Sequence, residues 1–155
     1  MKALARLIGT WFYSGYFPVA PGTVGSFAAL VIAWLLVQYA GFNPRGVLIL
    51  GIAMIGPAIW AAQVVARETG MSDPGIVVAD EVVGQWITVG GATHLNWKSW
   101  CAAFILFRLF DIWKPPPARQ FDRMHSGTGI VLDDVAAGAY GALVLLAAGV
   151  WFNLY

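Results

Sequence analysis

The sequence predicts an all-α fold: a polytopic helical membrane protein with about four to five membrane-embedded helices and an N-terminal interfacial helix. Three observations predict it. Hydrophobic residues make up 59% of the 155 and charged residues only 11%, where soluble domains carry roughly a quarter charged, and the mean hydropathy is +0.72. Several uncharged runs are long enough to cross a hydrocarbon core of about 30 Å as helices. The acidic residues fall between or at the ends of those runs. Residues 1–155 read as a single domain, because no Ser-rich, charge-rich or repeated segment divides them.

Taken in order, residues 3 to 13 of MKALARLIGTWFYSGYFPVAPG are expected to form the interfacial amphipathic helix. Arg6, Thr10 and Ser14 break the apolar core that a signal peptide would need, and no convincing cleavage site follows, so the segment reads as mature protein. Residues 14 to 26, SGYFPVAPGTVGS, form a Gly- and Pro-rich loop. Ser26 to Phe42 and Gly46 to Ala66 carry no charge and read as spans, the second kinked at Pro57. Val82 to Thr93 and Ser99 to Trp113 flank THLNWK as a helical hairpin that crosses only partway, since its first arm is short. Val135 to Leu154, rich in Ala and Gly, suits a closely packed final span. Trp11, Trp97, Trp100, Trp113 and Trp151 lie near span ends and read as an interfacial belt.

Alternating sides at each span places Lys2, Arg6, Arg67, Lys114, Arg119 and Arg123 on one side, with Arg45 and Lys98 on the other. The positive-inside rule makes the first side cytoplasmic. All eight acids, Glu68, Asp73, Asp80, Glu81, Asp111, Asp122, Asp133 and Asp134, then gather at that same face. An interfacial position spares each carboxylate the roughly 2.5–3.5 kcal/mol of insertion at the bilayer centre. That accounts for their depth and leaves their pairing unexplained.

The net charge of +1, with scattered basic residues, gives no basis for nucleic-acid binding. The lone Cys101 excludes a disulfide framework or a Cys-rich metal site within the chain. Chemistry is therefore expected from oxygen and nitrogen side chains. Asp80 with Glu81, and Asp133 with Asp134, each open an apolar segment. Either pair alone could simply complement a helix dipole. Four carboxylates on one face repel, however, and a hard cation such as Mg2+ relieves them. Arg108, Asp111 and Lys114 share a helix face at three-residue spacing before Pro115 to Pro117 stop the helix. They read either as a salt-bridge ladder or as a phosphate grip, with Arg108 as a planar fork and Lys114 as a point charge. Thr23 and Ser26 in the glycine-rich loop, and His125 in RMHSGTG, are further candidates for holding phosphate.

Four blocks, PVAPGTVGS from Pro18, DEVVG from Asp80, FRLFDIWKPPP from Phe107 and GTGIVLDDVAAG from Gly127, stand in order over most of the chain. Together they resemble the phosphatidylglycerophosphatase A family, whose pattern runs PxxPGTxGS, DExxG, FRxxDxxKPxP and GxGxxxDDxxAG. Tyr13 and Ser126 stand where that family commonly has glycine. The resemblance implies an integral membrane, Mg2+-dependent phosphatase that converts phosphatidylglycerophosphate to phosphatidylglycerol in bacterial phospholipid synthesis, and the charge asymmetry places its site at the cytoplasmic face of the inner membrane. On this reading Asp80, Glu81, Asp133 and Asp134 bind the metal. Arg108 and Lys114 hold the phosphate, Asp111 bridges them to the metal side, and Asp122 supports from behind. A phosphatase acting on another lipid phosphate is one alternative; a small cation transporter or channel subunit is the alternative from another class, and it would spread its acids through the membrane depth. The runs expected of CDP-alcohol phosphotransferases and of histidine-dependent lipid phosphatases are absent from the sequence.

Overall fold

The computed structural model describes residues 1–152, and every regular element among them is helical. Helix α1 (Lys2–Gly9) is followed by a short 3-10 turn at Ser14–Tyr16, then α2 (Pro21–Ala40), α3 (Pro44–Thr69), α4 (Ala79–Val89), α5 (Trp97–Trp113), α6 (Ala118–Asp122) and α7 (Gly127–Phe152). Helices α2, α3 and α7, of 20, 26 and 26 residues, are long and apolar enough to cross a membrane. Helix α4 has 11 residues, about 16 Å at 1.5 Å per residue, and cannot cross alone. The partway hairpin expected from the sequence is thus α4 and α5.

Local signals set the ends. Asn43 caps α3 by accepting from the Gly46 N–H at 2.9 Å, and Pro44 occupies the first helical position. Asn96 and Ser99 form a reciprocal capping box at the start of α5. Gly41 and Gly70 close α2 and α3 in the left-handed conformation, at φ 70° and 71°.

Four expectations are corrected. The interfacial helix stops at Gly9, because Trp11, Phe12 and Tyr13 turn left-handed at φ 45°, 55° and 69°. Trp11 does not join the interfacial belt: it is buried, and its ring meets that of Trp86 edge-on at 5.4 Å. Helix α2 begins at Pro21 rather than Ser26, since a proline at the first position needs no N–H partner, so Gly22, Thr23 and Gly25 are helical. Helix α7 begins at Gly127 rather than Val135, which places Asp133 and Asp134 in its second turn. The expected end of that span at Leu154 lies outside the described residues.

Short α4 sits at the centre, in contact with α2, α3, α5 and α7, and Val82 to Val89 are all buried. In a bilayer close packing, rather than water exclusion, drives such contacts, and small residues permit it. Gly84 of α4 faces Gly138 of α7 so closely that a Cβ on Gly138 would stand 2.5 Å from the Gly84 carbonyl oxygen. The Thr88 hydroxyl spans the same seam, 3.0 Å from the Gly84 oxygen and 3.2 Å from that of Gly138. Trp86 donates its indole N–H to the Ala29 carbonyl of α2 at 2.9 Å. These contacts tie α4 to both neighbours just beyond its acidic first turn.

Candidate active site

Helices α2, α4 and α7 begin, and α3 and α5 end, around one polar cleft of about 270 Å³. Pro21 and Gly22 enter it from the first turn of α2, Ser72 and Asp73 from the loop after α3, and Asp80 and Glu81 from the first turn of α4. Opposite stand Arg108 and Asp111 near the end of α5, with Lys114 as its cap. Asp122, His125, Asp133 and Asp134 complete the wall. Seven of the eight acids therefore converge as the sequence indicated. Glu68 is the exception: it pairs with Arg6 at 2.8 Å and Lys2 at 3.6 Å, tying α1 to α3.

Asp80, Glu81 and Asp134 each offer a carboxylate oxygen, and these atoms lie within 4.8 Å of one another. The two sequence pairs meet because Gly84 follows Asp80 by one helical turn, Gly138 follows Asp134 likewise, and the two glycines touch. Asp80 Oδ1 and Glu81 Oε2 are buried without a hydrogen-bond partner among the described residues. Unpaired carboxylate oxygens so close together repel strongly in a poorly hydrated site, and a cation between them is the direct relief. An all-oxygen donor set of this kind fits a hard divalent ion.

Asp133 is not in that group. Its Oδ2 accepts from Lys114 Nζ at 2.7 Å and its Oδ1 from the Asp134 backbone N–H at 3.0 Å, so both oxygens are engaged by protein donors. Lys114 also donates to Asp122. Burial opposes the ammonium charge, but the bonds to Asp122 and Asp133 prevail and hold Lys114 above the ordinary lysine range. The residue takes a left-handed conformation at φ 49° as it caps α5, with its N–H donating to the Phe110 carbonyl at 2.8 Å. Thus Lys114 ties α5, α6 and α7 together, and its charge is already matched by two carboxylates.

Arg108 pairs with Asp111 at 2.5 Å, both side chains less than one-fifth exposed. The spacing had also allowed Asp111 to bridge Arg108 and Lys114. Asp111 pairs with Arg108 alone, and no three-membered ladder forms. Arg108 also faces the carboxylates: a Cβ placed on Gly22 would overlap Glu81 Oε1 and stand 3.4 Å from Arg108 Nη1. Gly22 thus leaves room for an acid and a base to meet at the start of α2.

Thr23 and Ser26 do not line the cleft. Ser26 is fully buried and donates its hydroxyl to the Gly22 carbonyl at 2.8 Å, a consequence of the earlier start of α2. His125 does line it, exposed at the rim with φ 47°. Several cleft residues lay beyond the sequence-derived set, Asp73 and Gly22 among them. Asp73 carried a usable signal, since it was one of the eight acids on this face, whereas Gly22 became visible only once α2 packed against Glu81.

The sequence matches the family profile of phosphatidylglycerophosphatase A over residues 7–149. It is 37% identical over 146 residues to phosphatidylglycerophosphatase A of Escherichia coli strain K12, covering 93% of this chain and 83% of the relative. It is 36% identical over 147 residues to the protein of that name from Haemophilus influenzae, covering 94% and 89%. A Bacteroides thetaiotaomicron relative with the provisional name phosphatidylinositol-3-phosphatase is 38% identical over 155 residues, covering 96% and 94%. No solved structure matches significantly. With the four motif blocks folded around one cleft and the family profile spanning nearly the whole chain, the protein belongs to the phosphatidylglycerophosphatase A family.

Proposed function

We propose that this cleft hydrolyses the terminal phosphomonoester of phosphatidylglycerophosphate, yielding phosphatidylglycerol and inorganic phosphate, with Mg2+ held by Asp80, Glu81 and Asp134. The observation that carries the reading is the meeting of three ligand-capable carboxylates in a cleft that also holds Arg108. Seven carboxylates share the cleft with Arg108, Lys114 and the imidazole of His125. A phosphate dianion would be repelled from such a site without added positive charge.

When bound, Mg2+ would neutralise the phosphoryl oxygens and orient them. Arg108 contributes the N–H donors not used by Asp111 to the phosphate as charge builds on it. The start of α2 faces the same space without a side-chain cap, so its N–H groups add a favourable dipole. Hydrolysis adds water to phosphorus and releases the glycerol oxygen with a proton. Asp111 and His125 are the cleft groups suited to accept and return that proton. Lys114, matched by Asp122 and Asp133, acts as a brace rather than a grip.

A lipid substrate suits this placement, since a headgroup in the cleft leaves its acyl chains alongside the apolar helices. The distribution of Lys and Arg supports a cytoplasmic opening at the bacterial inner membrane. A second reading, a phosphomonoester on an inositol headgroup, is favoured by the name of the Bacteroides thetaiotaomicron relative. Phosphate release from phosphatidylglycerophosphate, phosphatidylinositol 3-phosphate, phosphatidic acid and glycerol phosphate, with and without Mg2+, distinguishes these. Preference for phosphatidylglycerophosphate, lost in Asp80→Asn and Asp134→Asn, is expected. Unchanged release in both variants would overturn the ion assignment.

A further inference from the structure

Gln85 lies one helical turn beyond Glu81 on α4 and is wholly buried, and neither atom of its amide has a hydrogen-bond partner among the described residues. Leaving a buried polar group unpaired costs about 1–3 kcal/mol. Other buried polar side chains of α2 and α4 find partners. Ser26 donates to the Gly22 carbonyl, Trp86 to that of Ala29 and Thr88 to that of Gly84. A methionine of similar volume would fill the same space without the penalty. The amide at this position therefore calls for a use other than packing.

Glu81 Oε2 is a buried acceptor in the same unpaired state. Residues four apart are neighbours on a helix surface, and long helical side chains lean toward the preceding turn. The spacing puts Gln85 on the face of α4 that carries Glu81, one turn behind the cleft wall. We propose that Gln85 is a positioning residue for the ion-binding carboxylates: when one Glu81 oxygen turns to a divalent cation, the Gln85 amide donates to the other and fixes the carboxylate from behind. Partners of this kind orient metal-ligating groups, and their loss typically weakens metal affinity by 10- to 100-fold. The inference rests on the ion-binding reading given above.

The test uses the full chain in detergent with Mg2+ alone as probe, reading the ion-induced rise in unfolding temperature. Gln85→Met is expected to leave the ion-free unfolding temperature unchanged or raised, while the Mg2+ concentration for half-maximal stabilisation rises roughly 10-fold. In a Glu81→Gln background the same change is expected to add little, because its partner is already altered. An unchanged Mg2+ midpoint in Gln85→Met, or an effect that persists undiminished without Glu81, would overturn the positioning role and leave the ion site standing. A wild-type protein that Mg2+ does not stabilise would remove the ion site itself, and this inference with it.

Discussion

Gly84→Ala adds one methyl group at the seam that joins the two acid pairs, and the structure sets the size of the effect. The new Cβ would stand 2.7 Å from the backbone carbonyl oxygen of Asp134, about 0.7 Å inside ordinary contact, and would also overlap the ring of Phe107. Neither neighbour yields easily: one is helical backbone and the other is a fully buried side chain. Overpacking of this kind costs about 1–3 kcal/mol. The residue struck is also one of the three proposed cation ligands, so separation of α4 and α7 moves Asp134 away from Asp80 and Glu81. A displacement approaching 1 Å costs roughly 100-fold in rate. Gly56→Ala on α3 is the control, because nothing lies within 4 Å of its Cβ, and relief of glycine's backbone entropy should stabilise it by about 0.5–1 kcal/mol. Thermal unfolding, the Mg2+ midpoint and phosphate release are measured on both variants. If Gly84→Ala behaves like Gly56→Ala in all three, the close α4–α7 contact is not what assembles the site.

Three further outcomes follow from named contacts. Arg108→Ala is expected to lower phosphate release by about 100- to 1,000-fold while the protein still binds Mg2+; normal turnover in a merely less stable protein would return Arg108 to a structural ion pair. Lys114→Met leaves Asp133, whose side chain is 8% exposed, without its ammonium partner. It should destabilise by about 2 kcal/mol, less than the ~3–5 kcal/mol of a fully buried pair because Lys114 is 29% exposed, as denaturant unfolding would register. Tyr13→Gly relieves a left-handed residue that costs about 1–2 kcal/mol, partly offset by glycine's own entropy. An unfolding midpoint higher by up to about 1 kcal/mol is expected, and a clear loss would show that the exposed Tyr13 ring, stacked on Tyr16 at 6.1 Å, matters more than its backbone.

The features most legible in the sequence were those written in apolar run length and in the sidedness of charge. Uncharged runs located the long helices, and alternation of sides brought seven acids to one cleft. Helix starts were harder to place. Pro21 and Gly127 begin α2 and α7 five and eight residues earlier than hydropathy alone suggests, since polar or small residues in a first turn do not register as membrane segment. Those shifts turned Ser26 inward and carried Asp133 and Asp134 from a helix mouth into a second turn. Partner choice could not be read at all. Asp133 and Asp134 are adjacent and chemically alike, yet one receives Lys114 while the other joins the carboxylate group.

That division of labour bears on why so many acids occupy one small site. Were all seven free, a phosphate could not approach, and a single divalent ion would not restore the balance. The structure instead pairs them selectively. Asp111 is matched by Arg108, and Asp122 and Asp133 by Lys114. Asp73 is exposed in the loop after α3, and Asp80, Glu81 and Asp134 are left clustered and without an ion pair among the described residues, two of them with buried oxygens lacking any hydrogen-bond partner. Three carboxylates exceed the charge of one Mg2+ by one unit, so a phosphate arriving at an ion held there would still meet net negative charge from the protein. Arg108 is the cation in the cleft with donors to spare, because a guanidinium carries five N–H groups. Replacing it with lysine should therefore restore less than the charge alone suggests: a point charge already held by Asp111 cannot also present a second donor in a fixed plane.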